Sequence, residues 1–176
     1  MERVDCVVVG AGVIGLAVAR ALALAGREVL VLESEAAIGT ATSSRNSEVV
    51  HAGIYYPTGS FKARLCVAGR EPLYRFCDRH GVAYRRCGKL IVATDAGQRP
   101  FLEKLQIQAS TNGVDNPRWP DALELRMLEP ELDVAAALLS PDTGIIDSHA
   151  LMLAIQADAV AHGATLALRA PVLRIR

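Results

Sequence analysis

The stretch Val7-Val8-Val9-Gly10-Ala11-Gly12-Val13-Ile14-Gly15-Leu16-Ala17 decides the fold. Its first three residues are β-branched and apolar, as in a buried strand. After the glycines, Ile14, Ala17, Val18, Ala21, Leu22 and Ala25 fall at helical spacing, and Gly26 stands where a C′ glycine ends a helix. Strand, glycine turn and helix thus follow one another without a gap. Gly10 lets the chain leave the strand in a tight turn. Gly12, lacking a Cβ, leaves room for a diphosphate against the backbone, and Gly15 lets the helix pack on the strand it has just left. The first N–H groups of that helix have no intrahelical partner, and its N-terminus carries about half a positive charge, so an anion is favoured there.

Further along, Glu28-Val29-Leu30-Val31-Leu32 reads as a second strand that ends in Glu33. An acid at this place accepts hydrogen bonds from ribose hydroxyls and repels a 2′-phosphate, which points to FAD or NAD rather than NADP. Before the turn, Val4 to Val9 is a strand interrupted by Asp5 near its start. The apolar N-terminus is not a signal peptide on this reading, because Glu2 and Asp5 spoil a basic leader and Arg20 breaks the apolar run.

Bulk properties narrow the class. The 176 residues are 51% hydrophobic and 22% charged with a formal net charge of zero, so no basic surface calls for a nucleic-acid partner. Cys6, Cys66, Cys77 and Cys87 have no metal-ligand spacing, and Cys6 lies in the first strand, so neither a metal site nor a disulfide framework is expected. No run is long and apolar enough to span a bilayer. The expectation is a cytoplasmic protein with at most peripheral membrane contact.

After Glu33 come a polar loop, Ser34 to Thr42, and the run Ser43-Ser44-Arg45-Asn46-Ser47-Glu48-Val49-Val50-His51-Ala52-Gly53-Ile54-Tyr55-Tyr56. Ser and Asn cap helices and turn chains through side-chain-to-backbone bonds. The run is therefore either a capped surface turn or the remainder of a cradle for the cofactor's phosphates and ring. Ser44-Arg45-Asn46-Ser47 and Val50-His51-Ala52-Gly53-Ile54-Tyr55-Tyr56-Pro57 resemble the flavin-contacting segment of the L-2-hydroxyglutarate dehydrogenase (or oxidase) family, within the FAD-dependent D-amino-acid-oxidase-like superfamily. The resemblance continues through Gly59 to Cys66 and Cys87 to Thr94, and returns in outline at Glu129-Pro130 and Gly144-Ile145-Ile146-Asp147. Two positions depart from it: Glu48, where a small residue is expected, and Pro72, inside an expected continuous helix.

The resemblance implies an α/β fold, with a Rossmann-like FAD-binding domain of the glutathione-reductase-like type and an inserted α+β substrate domain. It places the first part of the FAD domain at 1–57, the substrate-side portion at 58–141 and the return to the FAD domain at 142–176. The family's polypeptide runs about as far again, so Arg176 reads as a C-terminal truncation. The cofactor cradle is expected from Gly10, Gly12, Val13, Ile14, Gly15, Glu33, Ser43, Ser44, Arg45, Asn46 and Ser47.

Along the middle of the chain, Ser60 caps a helix that ends at His80-Gly81, and Pro72 predicts a kink or break near Gly69. Val82 to Arg86 and Lys89 to Thr94 read as the two arms of a hairpin. A helix capped by Asp95 follows, then a loop over 111–120 and a short helical segment over 121–128. Val134 to Leu139 is a strand. Ser148 caps a helix to Ala161, and Thr165 to Leu168 and Val172 to Ile175 are strands rejoining the nucleotide sheet. His149 and His162 read as helix-end residues.

The chemistry implied is oxidation of a 2-hydroxy acid to the 2-oxo acid by hydride transfer to flavin N5, with a quinone or oxygen as electron acceptor. His51 is the general-base candidate, its ordinary pKa suiting that work, or else a structural histidine. Tyr55 or Tyr56 can hydrogen-bond substrate or simply pack. Lys62, Arg64 or Arg45 is either a solvated surface charge or the partner of a substrate carboxylate, for which arginine offers two parallel bonds. The alternatives are an amine or amino-acid oxidase, a glycerol-3-phosphate dehydrogenase, and a non-catalytic dinucleotide-binding module.

Overall fold

A computed structural model describes residues 3–174. By contact the chain falls into two compact units, one up to Glu48 and from Asp147 onwards, the other Val49–Ile146. The units therefore change over at 48/49 and 146/147, whereas the sequence suggested 57/58 and 141/142.

In the first unit, β1 (Cys6–Val9) leads through the glycine turn into α1 (Val13–Leu24), and β2 (Val29–Leu32) follows. β2 pairs in parallel with β1, Val8 beside Val31, and on its other side with β8 (Thr165–Ala167), Val31 beside Leu166. The order β1-β2-β8 is a small parallel sheet with β1 at an edge, where Val7 and Val9 stay exposed. A parallel sheet needs helices against its faces. α1 packs against α5 (Ser148–Ala161), and Leu16, Ala19, Val29, Val31, Leu151, Met152 and Ile155 are buried in this unit. An ion pair between Arg20 and Asp158 ties α1 to α5.

Two details differ from the sequence reading here. α5 is capped by Asp147, whose Oδ1 accepts the N–H of Ala150 at 2.8 Å, and Ser148 is already the first helical residue. The carboxylate is the cap because it reaches the third N–H while Ser148 faces Glu48. After β8, no strand forms over 172–174; Ile175, the last residue of that expected strand, and Arg176 lie outside the described residues. The chain turns at Arg169, at φ 55°, and its N–H groups bond back, Arg169 to Glu35 O and Ala170 to Glu33 O.

The second unit is antiparallel. β3 (Val49–Val50) and β4 (Tyr84–Arg85) both flank β7 (Gly144–Ile146), while β5 (Lys89–Ala93) pairs with β6 (Ala136–Ser140). The expected hairpin is thus absent, since its two arms belong to different sheets. The reason lies at Gly88, at φ 72°, whose N–H bonds Thr143 O, so the chain turns away between β4 and β5.

α2 (Phe61–His80) starts at Ser60, whose Oγ accepts the Ala63 N–H, and stops at Gly81 in the left-handed region. It runs through Pro72 as one helix, without the expected break near Gly69. Anchors hold it on both sides of the proline. Ala63 is buried before it, and Tyr74, Phe76 and Cys77 after it, while Arg70 pairs with Asp142 at 2.8 Å. These contacts offset the hydrogen bond that proline removes.

α3 (Arg99–Thr111) buries Leu102 and Leu105 with Ala93 and Leu138 from the β5–β6 ribbon. A short α4 (Ala122–Leu128), capped by Asp121, precedes β6. Leu138 is fully buried, so Leu138→Ala removes apolar contact and leaves a cavity in this cluster. It is expected to destabilise the protein by about 2–5 kcal/mol, read as a lowered midpoint in urea with unchanged slope.

Candidate functional site

The glycine turn is built for close approach. Gly10 has φ 96°, so a side chain there would be strained, and its N–H bonds the Leu32 carbonyl at 2.8 Å. A Cβ on Gly15 would run into the Gly10 carbonyl oxygen, so only glycine lets α1 begin this close to β1. A Cβ on Gly12 would meet Ser43 Oγ at 2.9 Å. That hydroxyl accepts the N–H of Val13 at 3.0 Å and so caps the first residue of α1 from across the cleft. Gly10, Gly12, Val13, Ile14, Gly15, Thr42, Ser43 and Asn46 line a cleft of about 580 Å³, within the usual range for ligand sites.

Glu33 stands at the end of β2. Its Oε2 accepts the Ala11 N–H at 2.7 Å, and its Oε1 accepts the Glu35 N–H at 3.0 Å and the Ser34 hydroxyl at 3.2 Å. The bonds from Glu35 and Ala11 hold its carboxyl below the usual carboxylate range, so it is charged at neutral pH. These bonds occupy most of the roughly four acceptor positions of a carboxylate. The acid therefore also holds the turn, a role not read from the sequence.

These residues fit a dinucleotide. The turn excludes side chains where a diphosphate would lie, α1 presents its N-terminus, and the charged acid stands one strand away.

The serine-rich run takes the form of a 3₁₀ turn over Thr42–Arg45. Ser43 reaches the cleft, but Ser44 turns inward on its own loop, its hydroxyl donating to Ala41 O at 2.8 Å and Thr40 O at 3.0 Å. Arg45 and Ser47 are exposed. Asn46 lines the cleft and donates to Ser43 O at 2.6 Å and to Ser148 Oγ at 3.1 Å.

Glu48, the residue that departs from the expected pattern, adopts φ 58°. Its Oε1 accepts both the backbone N–H of Ser148 (3.1 Å) and its hydroxyl (2.8 Å), at the start of α5. Left-handed backbone costs a non-glycine residue about 1–2 kcal/mol. The two bonds to a helix N-terminus offset it, which is why an acid stands where a small residue was expected.

In the second unit, His51 is half-buried, with its ring 6.1 Å from that of Tyr56. Desolvation and the nearby charge of Lys89 both push its pKa below the ordinary histidine value, so the ring is neutral at pH 7. Lys62 Nζ lies 5.7 Å above the Tyr56 ring and Lys89 Nζ 4.8 Å above the Tyr55 ring. Arg64 stands instead over Phe61.

The loop carrying the two tyrosines is held by an amide of α3 and one at its C-terminal cap. Gln108 Nε2 donates to Tyr55 O and Tyr56 O, and Asn112 Nδ2 to Gly53 O and Tyr56 O, at 2.7–3.2 Å. The sequence reading missed Lys89, Gln108 and Asn112. The only signal was the Cys87–Thr94 resemblance, which contains Lys89 without singling it out. Among the described residues no group of His, Cys, Asp and Glu could hold a metal ion, and no helix is long and apolar enough to cross a membrane.

Comparison with known proteins agrees with this geometry. The chain is 53% identical over 154 residues to the mitochondrial L-2-hydroxyglutarate dehydrogenase of Arabidopsis thaliana, a match that covers 88% of the chain and 32% of that protein. The enzyme of the same name from Homo sapiens is 39% identical over 156 residues, covering 88% of the chain and 34% of the relative. The chain thus spans about a third of the length of these relatives. They are named as mitochondrial proteins and lend no support to the cytoplasmic location expected from the sequence.

Among solved structures, L-alpha-glycerophosphate oxidase from Mycoplasma pneumoniae with FAD bound superposes with a TM-score of 0.88 at 25% identity, covering 96% of this chain and 45% of that one. Glycine oxidase from Geobacillus kaustophilus gives 0.85 at 25% identity, covering 100% and 49%. The profile described as "FAD dependent oxidoreductase" matches residues 5–176, and on that match and these relatives the chain belongs to the FAD dependent oxidoreductase (DAO) family.

Proposed function

We propose that the chain forms the FAD-holding part, and a portion of the substrate side, of an enzyme that oxidises an L-2-hydroxyglutarate-like 2-hydroxy acid to the 2-oxo acid. The observation that carries the cofactor is the glycine turn locked to Glu33 through Ala11 N–H, a cradle that side chains would fill. The likeness to L-2-hydroxyglutarate dehydrogenases supports the substrate class.

FAD supplies the chemistry, accepting a hydride from the substrate carbon when bound. The residues of this chain bind and orient. Ser43 and the N-terminus of α1 would hold the diphosphate, and Glu33 the ribose hydroxyls. Val49–Ile146 carries the substrate-side groups. His51, kept neutral, removes the hydroxyl proton at its unprotonated ring nitrogen. Tyr55 orients substrate, and Lys62 or Arg64 binds a carboxylate. A quinone or oxygen would be the final electron acceptor.

Substrate-dependent bleaching of the flavin in the full-length protein discriminates the readings. L-2-hydroxyglutarate is expected to bleach it, while amino acids and glycerol 3-phosphate do not; bleaching by either of the latter alone favours the amine-oxidase or glycerol-phosphate alternative. FAD bound without bleaching by any of them marks a non-catalytic module.

His51→Gln is expected to lower turnover about 10²–10⁴-fold with FAD retained. Near-normal turnover in that variant removes the histidine from the reaction. Because burial and Lys89 depress its pKa, the acid limb of kcat/KM should fall below pH 6.5, the reaction running on the neutral ring above it.

Glu33→Gln keeps the shape but removes the charge, and is expected to weaken FAD binding by about 1.5–3 kcal/mol, roughly ten- to a hundredfold, by equilibrium dialysis. The folded carboxyl has the lower pKa, so its contribution to stability is present above about pH 4.5 and is lost as pH falls through the folded value. The acid limb of thermal stability should therefore flatten in the Gln variant.

A further inference from the structure

Most of the guanidinium groups that make close contacts in the second unit already have an acid. Arg70 pairs with Asp142, Arg86 with Glu71, Arg99 with Glu103 and Arg118 with Glu124. Lys89 differs. It is half-buried at the first position of β5, and among the described residues it has no carboxylate at ion-pair distance, although Glu129 lines the same small cleft. A lysine that only needed solvent would extend into water, its ammonium being strongly hydrated. This one instead lies over the Tyr55 ring, 4.8 Å from its centre.

Its place is fixed from two sides. Lys89 pairs with Ser140 in the β5–β6 register, so its backbone is set by the ribbon. Tyr55 is set by Gln108, which holds the carbonyls of Tyr55 and Tyr56, while its ring packs against both apolar clusters of the unit. His51 lies within reach of the lysine's charge. A half-buried cation with no acid at ion-pair distance, whose charge is felt by a neutral imidazole, makes a seat for an anion that carries a proton to be removed.

We propose that Lys89 binds the substrate carboxylate attached to the carbon that is oxidised, next to His51. Resting on the 2-hydroxy-acid reading, this gives the two lysines separate tasks. The C1 carboxylate and the C2 hydroxyl are neighbours in such a substrate, so a group that binds one stands beside the group that deprotonates the other. Lys62, exposed on the first turn of α2 over Tyr56, is left for the far carboxylate of a diacid. An anion on Lys89 also cancels the charge that opposes protonation of His51. Binding of substrate itself thereby makes the imidazole a better proton acceptor.

The test uses the FAD-loaded, full-length protein and glutarate, a diacid with no hydroxyl to oxidise. The ring signals of His51 are followed by NMR through a pH titration, with and without glutarate. In the wild type glutarate is expected to raise the His51 pKa; in Lys89→Met the free value is already higher and glutarate no longer moves it. Glutarate affinity should fall about ten- to a hundredfold in Lys89→Met, and Lys89→Arg should recover most of it. With L-2-hydroxyglutarate and with 2-hydroxybutyrate, which lacks the second carboxylate, Lys89→Met should raise KM more than it lowers kcat. Lys62→Met should raise KM for the diacid alone.

An unmoved His51 pKa in the glutarate-treated wild type, which needs no variant to fold, overturns the proposal, as does glutarate binding that is equal in wild type and Lys89→Met. Lys89-dependent glutarate binding in a protein that oxidises no 2-hydroxy acid keeps the anion seat and removes the enzymatic reading instead.

Discussion

The hydrogen bond from the Ala11 N–H to the Glu33 carboxylate, 2.7 Å long, is the constraint on which the nucleotide side of this protein rests. It joins the turn after β1 to the end of β2 and fixes both relative to the N-terminus of α1. The bond exists only because glycines stand on either side. Gly10 turns the chain through φ 96°, and Gly15 brings α1 down onto the Gly10 carbonyl. A carboxylate held by backbone N–H groups stays ionised, so the acid that shapes the turn is also a fixed negative charge at the end of β2.

Around this centre the first unit adds a second tier of side-chain bonds. Ser43 caps Val13, Asn46 holds the Ser43 carbonyl and the Ser148 hydroxyl, and Glu48 holds Ser148 at the start of α5. The chain of bonds runs from one helix N-terminus to another and includes one residue in left-handed backbone. A side chain that supports a cleft-lining residue in this way sets its orientation more firmly than the loop alone would. In the second unit the amides of Gln108 and Asn112 hold the loop of Tyr55 and Tyr56 in a comparable way.

What was legible in the sequence followed from local rules. The strand–turn–helix and its acid could be read because glycines, apolar spacing and an acid at the strand end each have one physical cause. Ser60 and Gly81 bounded α2 for the same reason. The misreadings arose where distant residues decide. Pro72 is tolerated because buried residues anchor the helix on both sides of it. The hairpin over 82–94 failed because β7 and β6, more than forty residues further on, are the true partners of its arms. Ser148 looked like a cap until Asp147 proved able to reach the helix N–H and Glu48 engaged the serine. Lys89 was overlooked since nothing local separates it from a surface lysine; only its place over Tyr55 does so.

The spectrum of the purified full-length protein, with chromatography of the nucleotide released on denaturation, tests the cofactor assignment most directly. A yellow protein that releases one FAD per chain is the expected result. A colourless protein, or one that releases a nicotinamide dinucleotide in place of the flavin, would contradict it.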